Sequence, residues 1–171
     1  MSRRINGYIV EPFADLTKVD LSGVDLEFAD LTGVILNHAK LYETNLRNAT
    51  LVSAELISAN LSHANLNYAE LQDADLREAD LAYATLYNTR LHNANLTKAY
   101  LFEADLECAS LEEADLSGAN LTKANLKYAN LKFANLYDSD FKEADLNYAN
   151  LTGAILDEAN LIVSQYNTTL H

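Results

Sequence analysis

At 171 residues with 49% apolar composition, the chain is long enough and apolar enough for one packed domain, which excludes a disordered polypeptide. Its 25 Asp and Glu outnumber 12 Lys and Arg, and the resulting charge of −13 opposes nonspecific binding to nucleic acid or anionic lipid. A basic protein surface, or no partner at all, is the expectation, with no direct nucleic acid binding and no membrane.

The first residues, MSRRINGYIVEPF, hold only Ile9 and Val10 as a contiguous apolar pair, far short of a signal-peptide core. Cys108 is the single cysteine, so no internal disulfide can form, and a cytoplasmic location is expected. Residues 1–13 are expected to be an N-terminal cap, a short strand or irregular segment with Ile5, Tyr8, Ile9, Val10 and Phe13 available to cover the first layer of the core. Pro12 there cannot donate to a strand ladder.

From residue 16 to residue 161 every fifth position is large and apolar, 30 positions with Leu at 29 and Phe141 at the other. Two residues earlier stands Ala in 24 cases, the exceptions being Val19, Val24, Val34, Thr44, Thr89 and Ser139. Asp or Asn usually precedes the leucine and two variable, mostly polar residues come after it, giving the unit A-(D/N)-L-x-x.

A period of five fits neither common element. On an α-helix each step would rotate the leucine by roughly 140° and leave no polar face. On a straight strand, with a side-chain period of 2, successive leucines would point to opposite sides. Both conflicts vanish if Ala and Leu point together from a short extended piece and the chain then turns by a fixed angle. Every pentad then sends its pair to one axis, and stacked layers pair their backbones at about 4.8 Å. At roughly 1.5 to 3 kcal/mol per buried large side chain, such a stack offsets its ordering entropy.

The repeat, over about residues 14–163, resembles the pentapeptide-repeat family, in particular its loop-free, Leu-centred members common in cyanobacteria. The resemblance implies a right-handed quadrilateral β-helix with four pentads per turn, here about seven and a half coils and about 36 Å of rod. Phe28, Tyr68, Tyr128 and Tyr148 recur at one place in a twenty-residue frame, an independent pointer to such a coil. Residues 164–171 form the expected C-terminal tail.

Most candidate chemistry is absorbed by this architecture. His38, His63 and His92 fall on different sides of the predicted square and His171 in the tail, so they do not converge on a metal. Cys108 has no predicted histidine neighbour to activate it. The recurrent Asp and Asn are explained by turn geometry. The five glycines are isolated, and a filled rod has no cleft. No enzyme activity, cofactor or metal is expected.

The outward positions carry the remaining candidates. Tyr83, Tyr87, Tyr100 and Phe102 lie within one coil of one another and form a candidate partner-binding patch, or else shield the ladder beneath them. Ile162 and Val163 occupy normally polar positions and, with Tyr166, either fold over the last coil or form an end-to-end homodimer contact; otherwise the protein is a monomer. The leading expectation is a noncatalytic protein-interaction or scaffold module with an unidentified protein partner. The alternative implied by the resemblance is a DNA-mimic that binds and modulates DNA gyrase or another type II topoisomerase. Against it, the charge is banded: Lys123, Lys127 and Lys132 make one layer positive, whereas duplex DNA carries a negative charge every ~1.7 Å.

Overall fold

A computed structural model of the chain describes residues 3–162. The coil repeats every twenty residues: parallel pairing runs unbroken from Asp15 against Ile35 to Asp140 against Asn160. Four pentads therefore close each turn, and the rod is the right-handed quadrilateral β-helix that the resemblance implies. Its four faces are centred, in order, on Leu16, Leu21, Leu26 and Leu31 and on every twentieth residue after them.

The hydrogen bonds of one pentad explain the unit. Leu76 N–H donates to Asn95 O in the next coil at 2.7 Å and Glu78 N–H to Thr97 O at 3.0 Å, while Asp80 N–H donates back to Ala59 O at 2.9 Å. Ala79 N–H closes the corner on Leu76 O at 3.0 Å. The third turn residue, Glu78, has φ 58°, so each corner is a β-turn of type II form. One amide remains, that of the first variable residue, and the Asp supplies its acceptor: Arg77 N–H donates to Asp75 Oδ1 at 3.2 Å.

Where Asp or Asn is missing, other solutions appear. The Ile57 amide donates not to Glu55 but to Asn37 Oδ1 in the previous coil at 2.9 Å, and Asn37 Nδ2 in turn donates to Glu55 Oε2 at 2.8 Å. Thr85 is replaced in the same way, Tyr87 N–H donating to Asn67 Oδ1 at 2.8 Å. On the fourth face four consecutive coils carry Thr50, Glu70, Arg90 and Ser110 at this position. There the amides of Val52, Gln72, His92 and Glu112 donate no hydrogen bond within the described protein.

Inside, the leucines from Leu21 to Leu151, with Phe141, form one continuous buried column with the small residues at the corners. The polar exceptions are satisfied by backbone carbonyls: Thr44 donates to Leu21 O and Thr89 to Leu66 O, both at 2.8 Å, and Ser139 to Leu136 O at 2.6 Å. A buried hydroxyl costs little when its proton has an acceptor.

The two variable positions of a pentad are not equivalent. The second one has positive φ in every pentad from Phe13 to Glu158, mostly in residues other than glycine. None of these positions holds Val, Ile or Thr, whose branched side chains are least compatible with that backbone. At Gly33 and Gly153 the requirement is space rather than φ: an added Cβ would clash with the Phe13 ring and with the Phe133 ring, respectively.

Near the N-terminus the chain forms a hairpin, β1 (Arg3–Ile5) and β2 (Tyr8–Val10), antiparallel with Ile5 opposite Tyr8. Asn6 and Gly7 both have positive φ, as a two-residue type I′ turn requires. Val10 is buried and Ile5 packs on the core, but Tyr8, Ile9 and Phe13 are exposed and do not cover it. Ile9 pairs with Arg4 on the other side of the ribbon, and Phe13 already sits at a coil corner, closed by Ala14 N–H on Glu11 O. Pro12 occupies the one position of that corner whose amide takes no part in the ladder, so its missing N–H is not needed. At the other end Leu156 and Leu161 are only partly buried.

Candidate interaction surface

Three of the four expected patch residues share one face. Tyr83, Tyr100 and Phe102 stand on the second face, whereas Tyr87, four residues beyond Tyr83, lies past the corner on the third. Tyr87 pairs edge-on with Tyr68 there, ring centroids 5.5 Å apart. The charged form of neighbouring Cys108, then Tyr68, pushes its phenol above the usual value. Tyr87 is thus separate from the patch.

The second face instead adds Tyr42 and His63. Tyr42 meets His63 edge-on at 5.5 Å, and His63 stacks on Tyr83 at 4.8 Å with 15° between planes. Tyr83 then meets Phe102 edge-on at 5.6 Å, and Phe102 lies within 11° of parallel to Tyr100 at 6.0 Å. The result is a continuous aromatic strip across four coils. Ala82, the smallest residue at any first variable position, lies beneath it, only 6% exposed. The sequence signal for the strip is the spacing of 20 between His63 and Tyr83, flanked by steps of 21 and 19 to Tyr42 and Phe102. Considering histidines only as metal ligands conceals it.

Carboxylates border the strip. The Glu43 carboxylate beside the Tyr42 hydroxyl raises the phenol pKa. Glu103 pairs with Lys123 at 3.3 Å, and the Lys123 ammonium sits 5.5 Å over the Phe102 ring. Asp80 accepts the Ala82 amide at 3.0 Å and has no ion pair among the described residues.

Other sequence candidates stay apart. His38, His63 and His92 occupy the first, second and fourth faces, and His171 lies outside the described residues. Among the described residues no three His, Cys, Asp or Glu side chains could together hold a metal ion. No helix there is long and apolar enough to cross a membrane. Ile162 is exposed beside the partly buried end of the core, while Val163 and Tyr166 of the expected dimer contact lie outside the described residues. The lysines of the positive layer are tied to neighbouring coils, Lys123 to Glu103, Lys132 to Glu112 and Lys127 to Asp145.

A family model described as Pentapeptide repeats matches in eight copies, over residues 13–48, 54–93, 94–132, 104–142 and 124–161. Among solved structures, HetL, a pentapeptide repeat protein involved in heterocyst differentiation regulation from the cyanobacterium Nostoc sp. strain PCC 7120, is 34% identical. The match covers 86% of this chain and 74% of HetL, with a TM-score of 0.62. A trypsin-treated variant of QnrB1, a plasmid-mediated fluoroquinolone resistance protein, is 16% identical over 92% of this chain and 89% of its own, with a TM-score of 0.58. That second likeness is one of fold alone. No curated protein matches the chain by sequence. The family match and the twenty-residue coil agree: the chain belongs to the pentapeptide-repeat family.

Proposed function

We propose that the chain is a noncatalytic protein-interaction or scaffold module whose second face binds a protein partner. The aromatic strip from Tyr42 to Phe102 carries this reading. Tyr42, Tyr83 and Tyr100 are each at least 40% exposed, although the core beneath is complete without them. Tyrosine and phenylalanine anchors of this kind are enriched where proteins meet. The DNA-mimic alternative has less support. Acidic residues are spread over all four faces, and among the described residues seven cations are paired with carboxylates, which interrupts any continuous negative field.

Affinity capture with the wild-type chain and with Y83S/Y100S/F102S tests the proposal. The triple variant is expected to lose the captured partner while Y87S, altered on the neighbouring face, retains it. Cross-strand aromatic pairs contribute about 0.5 to 1.5 kcal/mol each, so the triple variant should still melt cooperatively. If binding survives, or if the variant no longer folds, the strip belongs to the scaffold.

A further inference from the structure

We infer that the partner presents a cationic, arginine-bearing segment to this strip, seated at Tyr83 and Tyr100 and paired with Asp80. The inference rests on the interaction reading above and specifies the chemistry of that same site.

The rod displays the recognition mode on itself three times. Arg47 lies 5.5 Å over the Tyr68 ring and 3.9 Å from Glu27. Lys123 lies 5.5 Å over Phe102 and 3.3 Å from Glu103. Lys132 lies 4.8 Å over Phe133 and 3.7 Å from Glu112. In each case a cation rests on a ring and is held by a carboxylate one coil earlier. Ring face and carboxylate both favour positive charge, so the two attractions add at one point.

Around Asp80 a carboxylate and two exposed rings stand on one face without a paired cation among the described residues. Asp80 pairs through its backbone with Tyr100 in the next coil and stands three residues before Tyr83. One carboxylate oxygen takes the Ala82 amide, and among the described residues neither forms an ion pair. On this face Lys40 is paired with Asp20 and Lys123 with Glu103. Both rings are well exposed, Tyr83 at 44% and Tyr100 at 43%. A protein charged −13 adds a long-range field of the right sign for a basic segment and the wrong sign for nucleic acid. Arginine fits better than lysine because its planar guanidinium stacks on rings and gives up hydration more readily.

Fluorescence anisotropy with a labelled (Gly-Arg-Ser)3 peptide at about 0.15 M salt provides the test, beside peptides with lysine or neutral citrulline in place of arginine. The arginine peptide should bind most tightly and the citrulline peptide not measurably. D80N removes the charge but leaves an amide able to hold the Ala82 N–H, as Asn60 does for Ser62 at 3.0 Å. It should weaken binding about fivefold, and Y83S/Y100S about tenfold, in the range of a lost cation–π contact. D157N, the same charge loss on the first face, should change it less than about twofold. Equal loss in D80N and D157N would mean diffuse attraction, and equal binding of citrulline would mean an uncharged partner. Either result, or no binding of the arginine peptide at all, overturns the inference. If affinity capture still depends on Tyr83, Tyr100 and Phe102, the interaction reading stands without it; if capture is indifferent to them, that reading falls as well.

Discussion

The second and fourth faces share one backbone and one core but differ in how each pentad is finished. On the second face Asp20, Asn60, Asp80, Asn120 and Asp140 each hold the amide two residues on. On the fourth, four coils in succession have no such residue, yet their leucines remain buried and their cross-coil hydrogen bonds keep the same lengths: Leu91 N–H reaches Ser110 O at 2.7 Å, as Leu81 N–H reaches Tyr100 O. The Asp or Asn of the repeat is therefore a local finish for one amide. Leucine, alanine and the corner turn carry the coil.

This division is easiest to break from the inside. Leu81 and Leu91, at the centres of the second and fourth faces, are both fully buried. L81A and L91A should each cost about 2 to 5 kcal/mol in chemical denaturation, and nearly the same amount as each other. A markedly smaller loss at Leu91 would mean that the fourth face is already loosened by its missing caps.

A smaller effect separates the two variable positions. Asp73 has φ 58°, whereas Gln72 beside it has no positive φ. D73V should cost about 1 to 2 kcal/mol, since the left-handed backbone crowds a branched Cβ. Q72V should be near neutral, because Val52 already occupies that place one coil earlier. Equal effects would show that the corner can relax out of the left-handed region.

The leucine period made the coil legible from sequence because one physical demand, burial at a common axis, acts on every pentad. The four-sided turn came from the family resemblance, with Phe28, Tyr68, Tyr128 and Tyr148 in one column of the third face as its independent trace. The two variable positions look alike in the repeat, although the absence of Val, Ile and Thr from the second between Phe13 and Glu158 already marks the left-handed corner. The patch was partly legible. Proximity along the chain groups Tyr87 with Tyr83, but a corner intervenes, while His63, twenty residues before Tyr83, stacks on it. Pairing depends on the coil length, which no single pentad contains.

The finest distinction between capped and uncapped pentads should respond to acid. Thr32 and Val52 occupy equivalent places on the fourth face; Thr32 N–H donates to Asp30 Oδ1 at 3.2 Å, and Val52 N–H has no acceptor. The Thr32 hydroxyl, then its amide, hold the Asp30 carboxyl below its ordinary value, and Thr17 acts on Asp15 in the same way. A carboxyl with a depressed folded-state pKa contributes its full stabilisation above the unfolded-state value of about 3.9 and loses it as pH falls through the folded value. Hydrogen exchange, corrected for intrinsic rates, should therefore show protection at Thr17 and Thr32 near neutral pH that declines only as the solution becomes strongly acidic. Val52, Gln72 and His92 should show little protection at any pH. If Thr32 keeps its protection after Asp30 is protonated, the neutral carboxyl oxygen is a sufficient acceptor. That result would explain why Asn serves as well as Asp throughout the repeat.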